Sequence, residues 1–181
     1  MKQLRLFEEL YDVKTTDEWY TFPKTIEALN IYLPQNSNIL CPFSWKESNF
    51  VKVLSKYHNV VYSHLSKGTI LKNFYSYTKN DLKNIDFIID NPPFSTRNEV
   101  FMKLYELNIP FAMLVPLVTI TKKCVRDRIE DLSILFFKKR QIFFNQDGKV
   151  QGSPYDTVFI CYGNVLPKQI TMSEYQGTGE N

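Results

Sequence analysis

The chain has 181 residues, 44% hydrophobic and 15% aromatic, with a formal net charge of +3. That length and apolar content suit one α/β domain with a sizeable core and argue against disorder. Three scattered cysteines (Cys41, Cys124, Cys161) and two histidines argue against a disulfide framework and a zinc site. No run reaches the roughly 18 apolar residues that a membrane span needs.

Taken in chain order, Leu4, Leu6, Phe7, Leu10 and Tyr11 share one helical face, so a helix is expected over residues 4–11. This start is too acidic and too short in apolar run for a signal peptide, and the expected compartment is a reducing cytoplasm. Asp17-Glu18-Trp19-Tyr20-Thr21-Phe22-Pro23 follows. Its adjacent aromatics fit either core packing or a ligand wall. Pro23 suits the first position of a helix over 24–33, which Pro34 ends.

Asn38-Ile39-Leu40-Cys41-Pro42-Phe43 reads as a short buried strand closed by proline. Phe50, Val51, Val53, Leu54 and Tyr57 mark a helix that Ser44 or Ser48 caps. Residues 59–65 form the next strand, so 38–65 is a strand–helix–strand crossover unit. Within the mixed, polar stretch 66–85, residues 73–77 are a candidate short strand. Val100, Phe101, Leu104 and Leu107 place a helix over 97–107, and 110–117 is an apolar strand ending at Pro116. Residues 122–131 read as a charged surface helix. Residues 132–144 read as strand, basic turn, strand. Residues 146–154 read as loop, 156–162 as the last strand, and the tail from Lys168 as loose. Early alternation and late pairing of strands predict an α/β fold with a mostly parallel sheet and an antiparallel pair at one edge.

One stretch carries chemistry. Asp86-Phe87-Ile88-Ile89-Asp90 reads as a core strand that runs directly into Asn91-Pro92-Pro93-Phe94. Two prolines stop the strand and stiffen the loop, at the carboxyl end of a strand, where open α/β sheets place ligands. The Asn91 amide oxygen and a free carbonyl both accept from an exocyclic amino group, while an aromatic ring stacks on the heterocycle that bears it. That suits a nucleobase taken out of a duplex. The plain alternative is a Pro-Pro turn between strand and helix.

Asp90-Asn91-Pro92-Pro93-Phe94 resembles the catalytic motif of the amino methyltransferases, which methylate adenine N6 or cytosine N4. Residues 17–23 resemble the amino-terminal cofactor motif of small phage-type DNA adenine-N6 methyltransferases of the Dam-like group. Residues 39–43 and 47–54 stand where that family has its S-adenosylmethionine motif, and Gly152-Ser153-Pro154-Tyr155 resembles a late motif beside the base pocket. The resemblance spans about residues 15–163 and implies a Rossmann-like S-adenosylmethionine-dependent methyltransferase fold in a single domain over 1–181.

It implies that Asn91 and the Pro92 carbonyl accept from adenine N6, with Pro93 fixing the loop and Phe94 stacking on the base. It implies that Trp19, Tyr20 and Thr21 lie along the methionine part of S-adenosylmethionine. Cys41, Pro42, Phe43, Glu47, Ser48 and Asn49 line its other side. Ser63, with His64, stands where the family has a ribose-binding acid, and Asn73, beside Phe74, replaces a second acid. Residues 41–50 lack the family's glycines.

The implied activity is methylation of adenine N6 in double-stranded DNA, without metal or membrane, in a bacterial host cytoplasm if the origin is a phage. Lys122, Lys123, Arg126, Arg128, Lys138, Lys139 and Arg140 form either a phosphate-binding patch or a solvated face. Specificity is expected from loops in 66–85 or 144–155, or from a protein partner. A second reading keeps the scaffold and drops the turnover: a protein that binds DNA or a restriction or defence factor.

Overall fold

A computed structural model describes residues 20–64, 70, 72–144, 150–152 and 156–173. The helix expected over 4–11 and Trp19 lie outside the described residues. So does most of the late motif at 152–155.

The first elements are β1 (Tyr20–Thr21), α1 (Pro23–Asn30), β2 (Asn38–Cys41), α2 (Asn49–Leu54) and β3 (Asn59–Tyr62). Pro23 occupies the first turn of α1, where its missing N–H costs nothing. Ser48 caps α2 by accepting from the Val51 N–H, so of the two candidate serines it is the cap. Next come β4 (Phe87–Asp90), α3 (Arg97–Leu107) and β5 (Phe111–Pro116). Asn108 ends α3 in the left-handed conformation that asparagine tolerates.

The carboxyl-terminal third contains α4 (Lys123–Arg126), β6 (Leu132–Phe137), β7 (Ile142–Phe144), β8 (Val150–Gly152), β9 (Thr157–Tyr162) and β10 (Ile170–Ser173). Seven strands form one sheet in the order β10-β6-β9-β5-β4-β2-β3. All neighbours are parallel except β9, which runs antiparallel to both β5 and β6. This is the Rossmann-like α/β architecture, with a mostly parallel sheet, that the sequence implies.

The antiparallel pairing differs in detail from the expectation. β9 is inserted two strands in from the β10 edge. β6 and β7 do not pair with each other; β7 joins β1 and β8 in a separate three-stranded antiparallel sheet. The tail expected to be loose contributes β10, paired in register with β6 from Ile170↔Ile134 to Ser173↔Phe137.

Alternation along the central strands builds the core on both faces. Ile39, Cys41, Ile89, Ala112 and Leu114 point one way, onto Ile26 and Leu29 of α1 and Phe50, Val53 and Leu54 of α2. Leu40, Ile88, Phe111, Met113 and Val115 point the other way, onto Val100, Phe101, Leu104 and Leu107 of α3. Helices thus cover both faces, and the parallel strands all deliver their carboxyl ends to one side.

Candidate active site

The loops after β2 and β4 meet at that side. Asp90, the last residue of β4, is 1% exposed. One of its oxygens accepts from the Phe43 N–H at 2.7 Å. The other accepts from the Ser44 hydroxyl at 2.8 Å and from the Asn91 N–H at 2.9 Å. Burial pushes its pKa up to about 7, against the opposing pull of these three donors.

Beyond Asp90 the chain turns through Asn91-Pro92-Pro93 into a 3-10 turn at Phe94–Thr96 and then α3. The two prolines carry no N–H, so this loop demands few partners. The Asn91 side-chain oxygen is buried and accepts no hydrogen bond. A buried amide oxygen with no donor is costly to the fold, by about 1–3 kcal/mol. Its presence beside a cavity marks a place where a ligand's donor belongs.

That cavity is about 450 Å³, within the size range of small-molecule and cofactor sites. Tyr20 and Thr21 of β1 close one side, and Asn49 at the start of α2 donates to the Thr21 carbonyl at 2.8 Å. Ser48 and Asn49 line the cavity, as do Pro42 and Phe43. Phe43 packs edge-on against Phe74, with ring centroids 5.0 Å apart. Asn91, Pro92, Pro93 and Phe94 complete the wall. The Arg97 guanidinium stands 5.6 Å from the Phe94 ring centre.

The structure therefore brings most of the expected site residues to one cavity. Cys41, Glu47 and Ser63 do not line it. Cys41 is wholly buried because its side chain lies on the face of β2 that packs against α1 and α2. Its thiol is held well above its usual pKa by burial and then by the Asp90 charge. Glu47 is exposed on the turn before α2. Ser63 is buried, its N–H donating to the Cys41 carbonyl and its hydroxyl without a partner. Its neighbour His64 is the residue that reaches the cavity.

Asn73 lines the cavity too, but its amide oxygen accepts from the Tyr75 N–H at 3.0 Å, capping a 3-10 turn at Phe74–Ser76. The candidate strand at 73–77 is that turn.

Ser44, Trp45, Tyr75 and Asp90 also line the cavity, although the sequence did not place them among the site residues. A signal for Asp90 was present: a carboxylate ending an otherwise apolar buried strand must find donors. Trp45 stands between Tyr20 and His64, with ring centroids at 5.6 and 5.4 Å, both edge-on. It forms a wall and leaves the cavity open. No such signal exists for Trp45, because the path of the chain between β2 and α2 depends on the bonds of Phe43 and Ser44 to Asp90.

Among the described residues, no group of three or more acidic, histidine or cysteine side chains is placed to hold a metal ion, and no helix is long and apolar enough to cross a membrane. No family model matches the chain, and no curated protein matches it. A solved structure similar to it is a TehB-like SAM-dependent methyltransferase from Corynebacterium glutamicum ATCC 13032 Kitasato. The TM-score is 0.46 at 10% identity, covering 89% of this chain and 95% of that one.

Proposed function

We propose that this protein transfers a methyl group from S-adenosylmethionine to the exocyclic N6 of an adenine flipped out of double-stranded DNA. The observation that carries the reading is the buried, unpartnered Asn91 oxygen at the cavity wall, one residue from two prolines and three from Phe94.

The residues present suit such a donor. The cavity has aromatic sides for a planar adenine group and two buried polar atoms without partners, Asn91 Oδ1 and Thr21 Oγ1. Bound there, S-adenosylmethionine supplies an electrophilic methyl on a sulfonium. Tyr20, Thr21, Pro42, Phe43, Ser48 and Asn49 are the residues to hold it, with His64 and Asn73 at its far side.

The chain's own contribution is positioning. The Asn91 amide oxygen and the Pro92 carbonyl accept the two N6 protons. Accepting both orients the nitrogen lone pair and raises its electron density as it attacks. The rigid Pro-Pro loop keeps these acceptors from collapsing toward each other, and Phe94 offers a face for the flipped base. The apolar wall excludes water that would compete for the amino group.

Support for DNA comes from charge placement. α4 follows β5, whose carboxyl end lies beside that of β4. Cys124 of α4 contacts the Asn98 side chain at 3.9 Å, so the segment that carries Lys122 and Arg126 packs on the first turn of α3, just after the loop with Phe94. Both are exposed. Lys123 instead pairs with Asp127, and Arg140 with Asp156 at 3.0 Å.

The test is incorporation of tritiated methyl from S-adenosylmethionine into DNA of mixed sequence. Wild-type protein labels N6 of adenine, and Asn91→Ala does not. A wild-type protein that binds S-adenosylmethionine but labels no DNA overturns the DNA assignment. One that binds no S-adenosylmethionine overturns the enzyme. The second reading, a scaffold that grips DNA or a protein without turnover, is favoured by one observation. The end of β3 offers Ser63 and His64 with no carboxylate for ribose hydroxyls.

A further inference from the structure

Three donors on Asp90 come from both halves of the cavity. Phe43 and Ser44 belong to the turn after β2, which forms the wall assigned above to the methyl donor. Asn91 begins the loop assigned to the methyl acceptor. β2 and β4 are neighbours in the sheet, paired through Ile39↔Phe87 and Leu40↔Ile88, but that ladder ends before either loop starts. Past it, Asp90 is the polar link between the two turns that the hydrogen bonds define.

The same oxygen of Asp90 that holds Ser44 holds the Asn91 N–H. The backbone and side chain of one residue, Asn91, therefore differ: the backbone N–H is fixed by Asp90, while the buried amide oxygen accepts no hydrogen bond. Fixing the N–H orients the peptide that precedes the Asn91 Cα, and with it the direction in which the amide points.

We propose that Asp90 is a positioning residue, a clamp that locks the acceptor loop at Asn91 to the donor wall at Phe43 and Ser44 so that the two are held at one separation. This rests on the methyltransferase reading for its purpose, and on the three hydrogen bonds for its existence. An ionised carboxylate accepts all three donors. A proton makes one oxygen a donor, weakens it as an acceptor and removes the charge that strengthens all three bonds. The clamp is therefore closed in the ionised form and loosened by a proton.

The other titratable groups around it are few. Cys41 lies beneath, on β2, and stays a thiol because burial holds its pKa well above the ordinary value. His64, Tyr20 and Tyr75 line the cavity, with no lysine, arginine or second carboxylate among the described lining residues.

The experiment has two arms. The first follows backbone amide resonances of Phe43 and Asn91 in the ligand-free protein from pH 5 to 9. Both are expected to titrate with a single shared midpoint, to keep it in His64→Gln, and to lose it in Asp90→Asn. Amides that do not titrate, that titrate with separate midpoints, or that follow His64 overturn the clamp. The second measures kcat against pH. The wild-type rate is expected to rise through the same midpoint. Asp90→Asn is expected to flatten that rise and lower the plateau by about tenfold to a hundredfold, the scale of a misplacement near 1 Å. A profile unchanged by Asp90→Asn overturns the proposal. If the wild-type protein transfers no methyl at all, the function proposed above falls, and the amide arm still decides the clamp.

Discussion

Asn49, the first residue of α2, hydrogen-bonds across the cavity rim to the carbonyl of Thr21 in β1, at 2.8 Å. β1 is only two residues long and belongs to the small sheet with β7 and β8. The Asn49 hydrogen bond ties that sheet to the main body at the point where Tyr20 and Thr21 form the cavity wall. Asn49→Ala removes the tie while leaving Ser48 as the helix cap. A net hydrogen bond of this kind contributes about 0.5–1.5 kcal/mol. S-adenosylmethionine affinity is expected to fall about tenfold or less, with the melting temperature changed little. Titration calorimetry beside a thermal melt checks both.

Asn91 illustrates a site that costs stability. Its amide oxygen is buried without a donor, and such a group costs about 1–3 kcal/mol. Asn91→Ala removes the orphaned acceptor and a small side chain beside a cavity that already exists. The variant is expected to lose methyl transfer and to be as stable as the wild type or more so. Urea unfolding followed by circular dichroism measures this; a drop of more than about 2 kcal/mol would show that the side chain has a structural partner and is not held for a ligand.

These residues also show what the sequence made legible. The central strands and α3 were readable because each is a short apolar run or a helical face bounded by proline or asparagine: Phe111–Pro116 and Arg97–Leu107 match their expected spans within a residue or two. The Asn-Pro-Pro-Phe loop was readable because its residue types are rare in that order after a strand. What failed depends on partners far away in the chain. β8 looks like loop until β7 pairs with it, and β10 is a polar tail whose strand form comes from β6. The charged segment 122–131 was expected to be one helix. It forms only Lys123–Arg126 and a 3-10 turn at Ile129–Asp131, because Val125 is its single fully buried anchor. Asp90 was missed as a site residue because its role is set by Phe43 and Ser44, 47 and 46 positions away.

The raised pKa of Asp90 makes stability fall as pH rises. Unfolded, this carboxyl titrates near 3.8, and folded near 7, so between those values the native state holds more protons than the unfolded one. By linkage the contribution is fully present below about pH 4 and is lost as pH climbs through about 7. The loss is on the order of a few kcal/mol. Asp90→Asn removes the titration. Melting temperatures from pH 4.5 to 8 are expected to decline in the wild type with a slope that is shallower in Asp90→Asn; parallel curves would contradict the burial of the charge.

On the DNA reading proposed above, Lys122 and Arg126 are expected to meet phosphates, since both are exposed in the segment whose Cys124 contacts Asn98 of α3. Removing one phosphate-binding cation reduces the salt dependence of binding by about one unit of slope and weakens binding alike on all sequences. Lys122→Ala with Arg126→Ala should therefore lower duplex affinity at low salt and flatten log Kd against log salt by about two. S-adenosylmethionine affinity should stay unchanged. Fluorescence anisotropy with two unrelated duplexes tests this. A double variant with the wild-type slope would move the DNA interface elsewhere on the molecule.

Trp45 is part of the cavity wall, in the stretch between β2 and α2. Residues 41–50 contain no glycine, and the residue that lines the cavity just after β3 is His64. The wall is instead a run of three rings, Tyr20, Trp45 and His64, each meeting the next edge-on. Recognition of a planar adenine group then falls to apolar contact and ring stacking, which a tryptophan supplies at low conformational cost. Trp45→Ala is expected to weaken S-adenosylmethionine binding by more than tenfold, and Trp45→Phe by only a few fold, because the phenyl ring keeps an aromatic wall. Calorimetry on both variants measures this, with S-adenosylhomocysteine as a second ligand. Both ligands should lose affinity equally, since the wall addresses the adenosine they share. Loss confined to S-adenosylmethionine would place Trp45 beside the sulfonium, where a ring face attracts the cation.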